Sequence, residues 1–120
     1  MAIELLGLRT VIYQVTNLDM AARWWSEFLG YQPYFREPFY VGFEVAGYEL
    51  GLLPSGTPDE GAITYWGVSD VPAAIDAAVA VGSSVHTEPS EVGEGIVTGS
   101  IRTPDGSIVG FILNPHFTLS

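Results

Sequence analysis

The chain has 120 residues, 48% hydrophobic and 12% aromatic, enough for one domain with a packed core and too apolar for a disordered segment. Fourteen acidic residues against four arginines leave a formal charge of −10, which repels phosphate backbones and anionic membrane surfaces and argues against a nucleic-acid partner. Cysteine is absent, which excludes disulfides, thiolate nucleophiles and Cys-ligated metals, and no apolar run reaches the ~18 residues of a membrane span. The opening MAIELLGLRT lacks the basic segment of a secretory signal, so a cytoplasmic location is expected.

Residues Thr10 to Val15 are β-branched or aromatic around one glutamine and predict a strand. Asn17 then stands where a side chain caps a helix. Leu18, Ala21, Ala22, Trp25, Phe28 and Leu29 follow at three-and-four spacing, which predicts a helix from about Leu18 to Leu29, stopped by Gly30. Trp25 falls on the buried stripe and Trp24 at its edge. Three further strands are expected at Tyr31 to Phe35, Tyr40 to Val45 and Tyr48 to Leu53, the last two joined as a hairpin by Ala46-Gly47. Pro54 to Gly61 is a polar Pro/Gly-rich link.

The second half repeats this order. A strand is expected at Ile63 to Val68, and Asp70 stands where Asn17 stood. A helix with the stripe Val71, Ala74, Ile75, Ala78 and Val81 follows, then strands near Ser84 to Thr87, at Ile96 to Arg102 and at Ile108 to Leu113. Glu88 to Gly95 reads as a mobile loop and Thr103 to Gly106 as a tight turn. VTNLDMAARWWSEFLG and VSDVPAAIDAAVAVG align strand end to strand end, cap to cap and stripe to stripe. The chain therefore reads as one β-α-β-β-β unit written twice: module one about 8–54, linker about 55–61, module two about 62–115.

The entry VTNLDMAARWWSEFLGY and the closing TPDGSIVGFILNP resemble motifs of the vicinal oxygen chelate superfamily, which includes glyoxalase I, bleomycin-resistance proteins and extradiol dioxygenases. The resemblance implies an α+β fold, two βαβββ modules forming a half-open barrel around a cavity, often completed in a homodimer. It also implies up to four metal-ligating positions, which carry over to Thr10, Glu49, Ile63 and Gly110. Only Glu49 ligates well there, and a divalent ion needs three or more convergent donors. His86 and His116 lie outside these positions. The expectation is accordingly a metal-independent member with no cofactor, binding a small, largely hydrophobic or cationic molecule. The alternative is a lyase, isomerase or dioxygenase of the same fold, with Glu49 as catalytic base or sole protein metal ligand.

Strand alternation extends the wall of that cavity. Ile12 and Gln14 share a face with Thr10, Gly51 with Glu49, and Tyr65 with Ile63; Arg102, near the barrel mouth, is a further candidate to meet the ligand. The glycines beside Glu49 are expected to leave room for it, and Tyr34, Phe35, Phe39, Tyr40 and Phe43 to form an aromatic patch at an entrance. Open sheet edges and apolar surface make a homodimer the expected assembly.

Overall fold

The computed structural model describes residues 3–55, 59 and 61–117. Packing divides the described residues into two compact units, one of residues 10–55, 59 and 61–63 and one of residues 3–9 and 64–117. The order is βαβββ twice: β1 (Leu8–Gln14), α1 (Leu18–Leu29), β2 (Phe35–Glu37), β3 (Tyr40–Val45) and β4 (Tyr48–Leu53), then β5 (Ile63–Gly67), α2 (Val71–Ala80), β6 (Ser84–Gly93), β7 (Ile96–Arg102) and β8 (Ile108–Leu113). This is the α+β architecture read from the repeat. Among the described residues no helix is long and apolar enough to cross a membrane.

In module one the strands lie in the order β2-β3-β4-β1. β1 runs parallel to β4, with Thr10 beside Glu49 and Ile12 beside Gly51. β3 and β4 form the hairpin, and Ala46 (φ 52°) and Gly47 (φ 91°) both take the positive φ that a two-residue turn matching strand twist requires. Module two repeats the arrangement as β5-β8-β7-β6, with β5 parallel to β8.

Both helices start as their caps dictate. The Asn17 carboxamide oxygen accepts from the Met20 N–H at 3.0 Å and the Asp70 carboxylate from the Ala73 N–H at 3.0 Å. Gly30, at φ 87°, closes α1 in the left-handed conformation a side chain would resist. One face of each sheet is sealed by its helix. Val41, Phe43, Leu50 and Leu52 pack around Ala22 with Leu18, Trp25 and Leu29, and Ile101 and Phe111 pack around Val71, Ala74 and Ile75.

Four expectations are corrected. Tyr31–Tyr34 is irregular, and only Phe35–Glu37 pairs with β3, because Pro33 has no N–H to donate to a ladder. Glu88–Gly93 is not a loop but the second half of a ten-residue edge strand; three register shifts against β7 accommodate Pro89 and the glycine. Phe28 and Val81 are not on buried stripes, being 69% and 77% exposed, and Val81 lies past the last turn of α2. Phe43 belongs to the core rather than to the aromatic patch. The bounds of β1 and β5 differ from expectation by one or two residues, and half of the Pro54–Gly61 link lies outside the described residues.

Leu52 is fully buried in the first cluster. Leu52→Ala is expected to cost about 2–5 kcal/mol in urea unfolding, against less than about 0.5 kcal/mol for Val81→Ala.

Candidate functional site

The faces turned away from the helices carry the polar chemistry. In module one the two-residue turn sets the register Val45 to Tyr48, so Glu44 comes opposite Glu49 and Gly42 opposite Gly51. Alternation then puts Thr10, Ile12, Gln14, Glu49 and Gly51 on one face with Tyr40, Gly42 and Glu44.

Glu49 is half-buried and accepts a 2.6 Å hydrogen bond from the Tyr34 hydroxyl. That hydroxyl sits above Gly42: a Cβ there would meet the Glu49 carboxylate at 2.7 Å and the Tyr34 hydroxyl at 3.3 Å. Most of the Tyr34 ring is exposed, yet partial burial of its hydroxyl end, the bond to Glu49 and the negative charge of Glu49 together push its pKa above the usual tyrosine range. Tyr34 is thereby held as a protonated donor. Gly51 is covered by Tyr40, whose hydroxyl lies where a Cβ would project. The space beside Glu49 is therefore not open, as expected, but filled by two tyrosines for which the glycines make room.

Glu44 is the second carboxylate of this face. Its Oε2 accepts from the Gly47 N–H in the turn, and its carbonyl oxygen accepts from the Tyr31 hydroxyl at 2.7 Å. Like charges directly opposite across a ladder repel. Along the end of β3, where main-chain pairing with β2 has stopped, Tyr31, Gln32, Tyr34, Glu44 and Ala46 line an open groove of about 460 Å³.

The other expected residues are placed differently. Gln14 is buried and spans the ends of the inter-module link, donating to the Gly61 carbonyl at 3.0 Å and accepting from the Ser55 hydroxyl at 2.9 Å. Ile63 is buried at the head of β5. In module two the Tyr65 ring covers Gly110, and burial raises the Tyr65 pKa. Arg102 donates to the Gly106 carbonyl at 3.0 Å across the 103–106 turn. Arg9 lies over Gly67 and 3.9 Å from the Phe117 ring centre. Ser100, almost fully buried, bonds both His86 Nδ1 and Thr87 Oγ1.

The register also aligns the two modules. Tyr65 pairs with Gly110 as Ile12 pairs with Gly51, so the counterpart of Glu49 in module two is Ile108, two residues before Gly110. At these positions the side chains offer one carboxylate and one hydroxyl, and among the described residues no three His, Cys, Asp or Glu converge. Such a donor set does not fit a divalent ion.

A family model of the Glyoxalase/Bleomycin resistance protein/Dioxygenase superfamily matches residues 7–111. The chain belongs to that superfamily. No curated protein matches it in sequence. Among solved structures, a variant of Streptomyces coelicolor methylmalonyl-CoA epimerase is similar with 15% identity and a TM-score of 0.75, over 95% of this chain and 98% of that one. A superfamily member from Vibrio splendidus 12B01 is 18% identical, with a TM-score of 0.64 over 88% of this chain and 97% of that one. The Mn(II)-bound glyoxalase from Novosphingobium aromaticivorans is 17% identical, with a TM-score of 0.69 over 93% of this chain and 40% of that one. At such identities the likeness establishes the fold, and any account of this superfamily member's ligand has to come from its own residues.

Sequence reasoning missed Tyr34 as the partner of Glu49, and Glu44 and Gly42 as parts of the same face. The signal was present: a two-residue turn between alternating strands determines which residues stand opposite. Tyr34 had no such signal, because it comes from an irregular segment.

Because the folded-state pKa of Tyr34 is raised, the Tyr34–Glu49 bond contributes its full stability below the ordinary tyrosine value of 10.0 and loses it as pH rises above that value. Titration followed at 295 nm is expected to show a late-ionising tyrosine that Tyr34→Phe removes, along with part of the fall in stability above pH 10.0.

Proposed function

We propose that this superfamily member binds a small, largely hydrophobic, cationic molecule on the face of module one turned away from α1, without a metal, using Glu49 as the anchoring charge. The observation that carries this reading is the 2.6 Å Tyr34–Glu49 bond on a face floored by glycines and roofed by tyrosine rings. A carboxylate already oriented by a neutral donor pays little ordering entropy when a ligand arrives. Aromatic rings beside carboxylates suit a delocalised cation, which gains from both the ring quadrupole and the charge. Glu44, opposite Glu49, adds a second negative charge, and a cation between the two relieves their repulsion. The net charge of −10 draws cations toward the protein and turns anions away.

Benzamidinium, benzamide and benzoate share one shape and differ in charge, so calorimetric titration with the three tests the reading. Benzamidinium is expected to bind and the other two not. Glu49→Gln is expected to weaken it by about 10- to 100-fold, the loss of a charge-assisted contact of about 1.5–3 kcal/mol. Equal binding of benzoate, or unchanged affinity in Glu49→Gln, overturns it.

A catalytic reading of the same pair rests on the state of Tyr34. A hydroxyl held protonated beside a carboxylate forms a donor–base couple suited to moving a proton next to a carbonyl, as a lyase or isomerase requires. Deuterium incorporation beside the carbonyl of a simple ketone in D2O, catalysed by the wild type and abolished in Glu49→Gln, would favour this reading; its absence leaves binding alone.

A further inference from the structure

Two of the four arginines in the chain line one cavity. Arg23, Ser26 and Glu27, at the three-and-four spacing of a single helix face, meet Gln32 from the segment after α1 and Arg36 from β2 around a space of about 290 Å³. Arg36 stands opposite Val41 in the β2–β3 ladder, and Val41 is packed against α1, so the cavity lies on the helix side of module one. Glu49 is on the other face of the same sheet.

The donors around this cavity have few partners. The Ser26 hydroxyl oxygen is buried and makes no hydrogen bond, not even the bond back to the preceding turn that serines within helices commonly make. A buried hydroxyl in that state points to a group that binds beside it. Arg23 forms no ion pair among the described residues; Glu27 stands four residues on, but the order with the arginine first is the weaker one for such a pair. Arg36 meets Asp19 through Nη2 alone, at 3.5 Å, so most of its five N–H donors are without a partner among the described residues. Two guanidinium groups facing one space repel each other, and an anion between them is attracted to both. Their N–H donors, moreover, pair with two oxygens of one oxyanion at once.

Glu27 decides which oxyanion fits. A carboxylate in the wall repels an anion unless that anion has a proton to share. Inorganic phosphate keeps at least one O–H at neutral pH, whereas sulfate and carboxylates such as benzoate have none.

We propose that this cavity is a binding site for inorganic phosphate. The phosphate O–H donates to Glu27, and the remaining oxygens accept from Arg23, Arg36, Gln32 and Ser26. The chain's charge of −10 opposes any anion at long range, so affinity comes from these contacts and is modest.

Amide chemical shifts of the intact 15N-labelled protein, followed while phosphate or sulfate is added at neutral pH and matched ionic strength, test the site. Phosphate is expected to shift the amides of residues 23–36 and to saturate with a dissociation constant of about 1 mM, and sulfate to bind about tenfold more weakly or worse. Arg23→Gln and Arg36→Gln are each expected to weaken phosphate about tenfold, and Glu27→Gln to let sulfate bind as tightly as phosphate. All three residues are exposed, so each variant keeps the fold. Glu49→Gln is expected to leave phosphate binding unchanged, which separates this site from the one proposed for a cation. Phosphate without effect on these amides overturns the proposal, as does equal affinity for the two anions in the wild type. Unchanged affinity in both arginine variants, or sulfate still excluded by Glu27→Gln, overturns it as well.

Discussion

The open faces exist because each sheet has one helix and one helix only. A four-stranded sheet has two sides, and α1 or α2 can close just one of them by laying its apolar stripe on Val41, Phe43, Leu50 and Leu52, or on Ile101 and Phe111. Every second residue of each strand is consumed in that contact. The alternate residues are released from core packing, and they are the ones that carry Thr10, Glu49, Gly51, Tyr65, Ser100 and Gly110. A one-residue slip of register would exchange the two sets and destroy core and site together.

On those open faces the recurring device is an aromatic ring laid over a glycine. Tyr40 covers Gly51 and Tyr65 covers Gly110, each ring standing where a Cβ would otherwise project, and Tyr34 lies beside the Glu49 carboxylate over Gly42. The glycines thus serve as seats for tyrosines rather than as empty volume. This placement puts phenol groups close to the sheet and, at Gly42, brings one onto the Glu49 carboxylate. Several other polar side chains on these faces serve the fold: Gln14 brackets the inter-module link, Arg102 closes a turn, and Ser100 ties two residues of a bulged edge strand. Glu49 instead takes its hydrogen bond from Tyr34, a side chain of the irregular segment before β2.

The two modules share a plan and have diverged in its use. Asn17 and Asp70 cap their helices through the same bond, and Ile12–Gly51 matches Tyr65–Gly110 in register. Yet Glu49 has the apolar Ile108 as its counterpart, so that register position carries a carboxylate in module one alone. The helices differ too. α2 is rich in alanine and buries Val71, Ala74 and Ile75, whereas α1 carries aromatic residues on its outer side as well as its inner one.

The sequence by itself determined the repeat, both helices with their caps, the hairpin at Ala46-Gly47 and the face on which each strand residue lies, because these follow from local chemistry and from periods of 3.6 and 2. Its motifs also identified the superfamily. Only the tertiary structure decided that Phe28 stands in water, that Glu88–Gly93 is strand, and that Tyr34 reaches Glu49. Each of these depends on a neighbour distant in the chain. An apolar stripe spans more of a helix's circumference than the sheet touches, β7 supplies the ladder that a Pro-bearing edge lacks on its own, and a tyrosine in an irregular turn has no period from which its direction can be read.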